Sequence, residues 1–213
     1  MIKIKNTFYL FLFVSVFISC LEKNKKKIKY KTETKDVLFF ENRGIKNERA
    51  RKIFVAGLED VEIEDFESAK KKFTQADEIE NKNPIILNAI SQSEIRLGNV
   101  QKSIEILLSI LLIDSTYLPT YVNLGQNYMQ TKDYEKAKEI LLKGGKFATD
   151  KDLDTKSVLL LNLSITYNNL GDFKTGLKYS NEVIKISQNT KLTEFATKIK
   201  KESEENLMRK NIN

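Results

Sequence analysis

Small residues return along this chain at a fixed interval. Gly57, Ser91 and Gly125 stand 34 positions apart, and Ser164 follows after 39. Ala69, Ser103, Ala137 and Gly176 keep the same spacings, late jump included. Two columns slipping together mean a repeated unit with one insertion before its last copy. A period in this range marks a solenoid, in which each unit buries its apolar face against the next. The units fall at 50–83, 84–117, 118–151 and 157–190, with residues 152–156 inserted. With only 8 glycines and 2 prolines, the chain has little material for the tight turns of an all-β fold, so the units are expected to be helical.

A third column, Asp65, Asn99, Asp133 and Asp172, stands just before an amphipathic run in each unit. These are N-cap residues, whose side-chain oxygens satisfy free amides at a helix start, so each unit reads as a helix pair. The residue after each cap is large and apolar (Phe66, Val100, Tyr134, Phe173) and suits packing onto the neighbouring pair. The small columns then lie where two helices of a pair approach closely. Thr193 to Lys210 continues the helical pattern with many Lys and Glu, as a solvating cap over 191–213. The insert predicts either a longer loop or an extended helix start, and its acids lack the glycine turn and closing Glu of a calcium loop.

Unit three carries Tyr121, Leu124-Gly125, Tyr128, Asp133-Tyr134, Ala137 and Leu141; unit four carries Leu163-Ser164, Tyr167, Gly171-Asp172-Phe173 and Gly176. Unit two has Leu97-Gly98-Asn99-Val100, Ser103 and Leu107; unit one has Ala56-Gly57, Phe66, Ala69, Phe73 and Ala76. Over residues 50–190 the chain resembles the tetratricopeptide repeat family. Asp60 and Glu94 depart from the family's usual Tyr, Ser180 from its large apolar residue, and no unit ends in its proline. The resemblance implies an all-α, right-handed solenoid of four helix hairpins plus a C-terminal capping helix. It also implies a concave face, lined by the first helix of each pair, that binds a peptide or protein segment. Carried over by repeat position, that face takes Phe54 and Leu58, then Asn88, Gln92 and Arg96, then Val122, Gln126 and Met129, then Leu161, Ile165 and Asn168. Amides there suit an extended backbone, and Met and Leu give adaptable apolar contact; several of these side chains could equally complete the core. The family's carboxylate clamp is not reproduced: Asn123 and Asn162 occupy an eligible slot, but the accompanying basic residues are absent.

At the other end of the chain, Lys3 and Lys5 precede an eleven-residue apolar run, Phe8 to Ile18. Eleven helical residues cover about 16 Å, too short to span a bilayer but the length of a secretory signal core. Phe17-Ile18-Ser19-Cys20 resembles a bacterial lipobox, with Phe17 where Leu is usual. The resemblance implies a signal peptide over 1–19 and a lipidated Cys20 at the mature N-terminus, anchoring the protein to membrane. A plain cleaved signal and an uncleaved anchor are the alternatives. Leu21 to Asp36 holds seven lysines and three acids, so 20–36 reads as a disordered tether, with lipid contact by its lysines secondary. Residues 37–49 are expected to pack on the first helix pair through Val37-Leu38-Phe39-Phe40, although these could dock a partner instead.

Chemistry is scarce. The chain has no histidine, and Cys20 is its single cysteine. That removes the commonest general base, thiolate zinc sites and any internal disulfide. Gly144-Gly145-Lys146 fails as a phosphate loop, since Ile140 stands where its first glycine should be and Phe147 follows the lysine. The expectation is therefore no enzyme, no metal and no cofactor. The formal charge of +7 falls to +5 without Lys3 and Lys5. These lysines are spread among 29 acids without an interleaved aromatic stripe, which argues against nucleic acid. The reading that results is a membrane-anchored adaptor binding an envelope protein or peptide, similar to small repeat lipoproteins that serve as pilotins or assembly subunits. Leu21 after the cysteine, rather than an Asp, points to the outer membrane; the periplasmic side is expected, with the surface-exposed side as the alternative. A self-associating structural oligomer is the alternative; an envelope enzyme with an unconventional carboxylate site is weaker.

Overall fold

The computed structural model describes residues 44–210, which form an all-α solenoid of tetratricopeptide-type hairpins. The pairs are α1 (Glu48–Glu62) with α2 (Phe66–Ile79), α3 (Pro84–Arg96) with α4 (Val100–Ile113), α5 (Leu118–Gln130) with α6 (Tyr134–Gly145), and α7 (Leu153–Asn169) with α8 (Phe173–Ile186). A ninth helix, α9 (Thr190–Lys210), covers the last pair and begins three residues ahead of the expected start. The expected leader, Cys20, the Lys-rich tether and Val37–Phe40 lie outside the described residues.

Each hairpin turns by the same device. Glu64, Gly98, Lys132 and Gly171 hold left-handed backbone, with φ between 60° and 85°. They repeat at the intervals of the small columns. The next residue's amide then donates five residues back: Asp65 to Asp60, Asn99 to Glu94, Asp133 to Tyr128 and Asp172 to Tyr167, each near 2.9–3.0 Å. This closes the first helix of the pair by satisfying carbonyls that have no helical partner. Glycine enters the left-handed region freely, whereas Glu64 and Lys132 enter it at a steric cost. Lys132→Gly is therefore expected to raise unfolding free energy by about 0.5–1 kcal/mol in chemical denaturation.

Three of the four expected caps form. Asp65 accepts from the Ser68 amide at 3.0 Å, Asp133 from Lys136 at 3.3 Å and Asp172 from Thr175 at 3.1 Å. Asn99 stands at the N-cap position but does not cap. Its Nδ2 donates to Glu94 Oε2 at 2.7 Å, because a buried carboxylate competes for the amide. In the insert, Asp152 accepts from the Thr155 amide at 3.1 Å and the Thr155 hydroxyl at 2.5 Å. The insert is thus the extended start of α7 and not a longer loop.

The small columns sit where close approach demands them. A Cβ on Gly57 would lie 2.6 Å from the Phe73 ring, and one on Gly125 would lie 2.5 Å from Leu141 Cγ. In the fourth hairpin Ser164 carries a side chain, its hydroxyl donating to the Gly176 carbonyl at 2.7 Å, and Ser180 replaces the large residue opposite. Ser91 and Ser103 hydroxyls meet at 2.8 Å, and Asn127 Nδ2 donates to Ser103 Oγ at 2.7 Å, which ties the second hairpin to the third through buried polar groups.

Charge replaces the expected Tyr in the first two hairpins. Asp60 meets Lys72 at 2.7 Å, and the fully buried Glu94 meets Lys102 at 2.8 Å and Lys70 at 3.9 Å. One repeat on from Glu94 and Lys102, Tyr128 and Lys136 occupy the same positions, with the ammonium 5.7 Å from the ring centroid. An ion pair and a cation–π contact therefore serve one place in successive units.

Candidate binding face

The odd helices α3, α5, α7 and α9 approach one another more closely than the even helices do. A stack curves toward its more tightly spaced layer, so the odd helices line the concave side. The expected site residues all lie on those helices or on α1, but curvature divides them.

Phe54, Asn88, Val122, Leu161 and Ile165 are buried and do not line an open face. Phe54 packs against Phe73 in a tilted ring pair with centroids 5.1 Å apart, inside the first hairpin. Val122, Leu161 and Ile165 join a core that runs from α5 to α9. The reason is that α7 is enclosed: α5 and α9 flank it while α6 and α8 pack behind it. Asn168 is also nearly buried, its Oδ1 accepting from the Ser203 hydroxyl of α9 at 2.9 Å. Arg96 is half-buried, with its guanidinium 4.2 Å above the Phe66 ring and 4.0 Å from Glu64. It clamps the first hairpin to the second.

Leu58, Gln92, Gln126 and Met129 stay half-exposed. Leu58 packs at the margin of the N-terminal core and Met129 at the margin of the C-terminal one. Gln92 and Gln126 are 34 positions apart, at one place in successive hairpins. Neither amide is engaged by another of the described residues. Behind them lie Asn88, expected on the face itself, and Asn123 and Asn162, expected only at the clamp slot. Asn123 Nδ2 donates to Asn88 Oδ1 at 2.8 Å, Asn88 Nδ2 finds no protein partner, and Asn162 is buried with both amide atoms unpartnered. The sequence trace of the clamp slot was the 39-residue step from Asn123 to Asn162, the step of the small columns. On the open face, Gln92 and Gln126 offer neutral donors and acceptors between two apolar shoulders, suited to an extended backbone.

Two acids at and before the insert are committed elsewhere: Asp150 meets Lys156 at 2.8 Å and Asp152 caps α7. Gly144 and Gly145 end α6, and a Cβ on Gly144 would lie 2.5 Å from Tyr121 Cβ, so packing demands that glycine. Among the described residues no group of three His, Cys, Asp or Glu could hold a metal ion, and no helix is long and apolar enough to cross a membrane.

A family model described as tetratricopeptide repeat matches residues 118–144, the span of α5 and α6. No curated protein is significantly similar in sequence. Among solved structures the chain is similar to the thermophilic tetratricopeptide repeat protein TTC0263 of Thermus thermophilus, at 15% identity over 70% of this chain and 80% of that one, with a TM-score of 0.62. It is similar to pilF of Pseudomonas aeruginosa at 18% identity, covering 74% of this chain and 70% of that one, with a TM-score of 0.65. It is also similar to the Sgt2 tetratricopeptide repeat domain of Aspergillus fumigatus, at 22% identity over 60% and 83%, with a TM-score of 0.52. At these identities the likeness is one of fold. That fold is generally a non-catalytic, protein-binding one.

Proposed function

We propose that this tetratricopeptide-type solenoid is a membrane-anchored scaffold of the bacterial cell envelope, gripping an extended segment of a partner protein on its concave face. The observation that carries the reading is the pair Gln92 and Gln126: repeat-equivalent amides with no partner among the described residues, between Leu58 and Met129. The anchor half rests on sequence: a short apolar run ending at Ser19-Cys20, the chain's single cysteine, followed by a Lys-rich spacer. Leu21 favours the outer membrane, facing the periplasm.

The two halves are tested separately. Photo-crosslinking from position 126 in native membranes should yield a discrete partner band. Gln92→Ala with Gln126→Ala should weaken its capture about tenfold or more, with helicity unchanged. Equal capture by the double variant places the binding face elsewhere. Cys20→Ser should move the protein out of the membrane fraction; retention there rejects the lipid anchor.

Self-association has one observation in its favour. Val55 and Ile63 are exposed on the first hairpin, while α9 closes the opposite edge of the stack. A mass that doubles with concentration, and is restored to monomer by Ile63→Glu, would favour that reading.

A further inference from the structure

The outward side of α4 and α6 exposes leucine where neighbouring repeats do not. Leu108 and Leu112 are one turn apart on α4, and Leu112 is 89% exposed. Leu142 on α6 lies 34 positions after Leu108, so the two sit side by side on successive outer helices. The corresponding residues of the flanking hairpins are Thr74 and Asn181. Contiguous exposed apolar side chains of this kind mark a contact surface.

Three observations say what covers it. First, these leucines lie toward the carboxyl ends of α4 and α6, and exposed lysines stand with them: Lys143 and Lys146 at the end of α6, and Lys185 at the end of α8. None of the three pairs with an acid among the described residues. Most acids of the same edge are engaged: Asp114 Oδ1 accepts from the Thr116 amide and hydroxyl at 2.9 and 2.7 Å, Glu80 accepts from the Lys46 and Asn47 amides, Asp150 meets Lys156 and Asp152 caps α7; exposed Glu78 on α2 and half-buried Glu182 on α8 flank the patch, and Glu105 and Glu139 lie a turn further in.

Second, the chain enters at this same end. The Gly44 carbonyl accepts from Asn83 Nδ2 at 2.9 Å, and Glu80 accepts from the Lys46 and Asn47 amides. The start of α1, the end of α2 and the start of α3 are thereby held together, and antiparallel pairing puts the ends of α4, α6 and α8 on that edge. The 43 residues before Gly44, with their apolar run and seven-lysine spacer, join the solenoid there.

Third, an apolar patch flanked on its α6–α8 side by three unpaired lysines matches one chemistry in particular, an anionic lipid surface. Val37–Phe40 is close enough in sequence to reach this edge but would leave the lysines unanswered.

We propose that this edge rests on an anionic bilayer, with Leu108, Leu112 and Leu142 entering the headgroup boundary and Lys143, Lys146 and Lys185 meeting lipid phosphates. This rests on the membrane-bound reading above and adds an orientation to it: the outer helix ends face lipid, and the concave side stays open to a partner.

The chain has no tryptophan, so Leu112→Trp makes a single reporter. The full chain carrying it is bound to vesicles of phosphatidylethanolamine and phosphatidylglycerol, with or without brominated acyl chains. Indole emission from position 112 should shift to the blue on binding and fall about twofold with brominated lipid, as for a side chain at the acyl boundary. A Gln101→Trp reporter, at the other end of α4, should do neither. Reversing the lysines (K143E, K146E and K185E together) should abolish the quenching at position 112. A chain that pellets with vesicles while that reporter stays unquenched overturns the docking and leaves the anchor standing. A chain that does not pellet at all overturns both. A blue shift before lipid is added, lost on deleting 37–40 or on dilution, assigns the edge to the chain's own segment or to a second copy and likewise overturns the proposal.

Discussion

Gly125→Val should cost the domain several kcal/mol and lower its melting temperature by roughly 5–15 °C. Gly125 faces Leu141 across the third hairpin, and a Cβ there would lie 2.5 Å from Leu141 Cγ, well inside van der Waals contact. Leu141 is fully buried, so it cannot swing away into solvent. Relief requires α5 and α6 to separate, and overpacking of this kind costs about 1–3 kcal/mol before any backbone shift is counted. The branched Val adds further atoms to the clash. In a solenoid the damage spreads, because each hairpin depends on its neighbours for burial. Gly145→Ala is the control: a Cβ there meets only Leu159 Cδ2, at 3.9 Å, so the melting temperature should hold or rise slightly. Normal melting of Gly125→Val would mean that the small columns do not mark the close approach of paired helices.

The repeat was legible because several residues per unit report it together. The caps at Asp65, Asp133 and Asp172, the small residues and the large residues at Phe73, Leu107 and Leu141 all keep one interval, so a weak match at Ser180 or Asp60 cannot hide it. The left-handed turn residues were half legible. Gly98 and Gly171 announce the position, but Glu64 and Lys132 look like any exposed charge. Asn99 shares the cap column and fails to cap, because its competitor Glu94 is buried only through the packing of α3 against α4.

The binding face was less legible, for a geometric reason. Repeat position says which residues share a helix face, but it does not say how sharply the stack curves. Where α5, α7 and α9 crowd together, Val122, Leu161 and Ile165 become core; where the spacing is wider, Gln92 and Gln126 keep solvent. The apolar run Ile104 to Ile113 hid its surface in the same way. Ile104, Leu107 and Ile110 are buried and Leu108 and Leu112 are not, and apolar character alone does not separate the five.

Lys102→Met should destabilise the domain, and by more than Glu94→Tyr does. Glu94 is buried and Lys102 is largely exposed, so the two halves of the pair are not equivalent. Removing Lys102 leaves a carboxylate in the interior with Asn99 and the more distant Lys70, whereas removing Glu94 releases a lysine that simply hydrates. Glu94→Tyr also restores the pairing that the next repeat uses, Tyr128 beneath Lys136, so a ring has both room and a cation. Burial opposes ionisation of Glu94, but hydrogen bonds from Lys102 and Asn99 and the charge of Lys70 outweigh it and hold the carboxyl below its ordinary value of 4.5. A depressed folded pKa contributes stability that is full above the unfolded value and is lost as pH falls through the folded one. Melting followed downward from about pH 6 should therefore decline below about 4.5, and Glu94→Gln should flatten part of that decline. Glu80, Asp65, Asp133, Glu48 and Asp150, also held low, contribute as well, so the curve should not become level. If Lys102→Met melts like the parent at about pH 7, Glu94 draws its support from Lys70 and Asn99, and the α3–α4 ion pair is incidental to the fold.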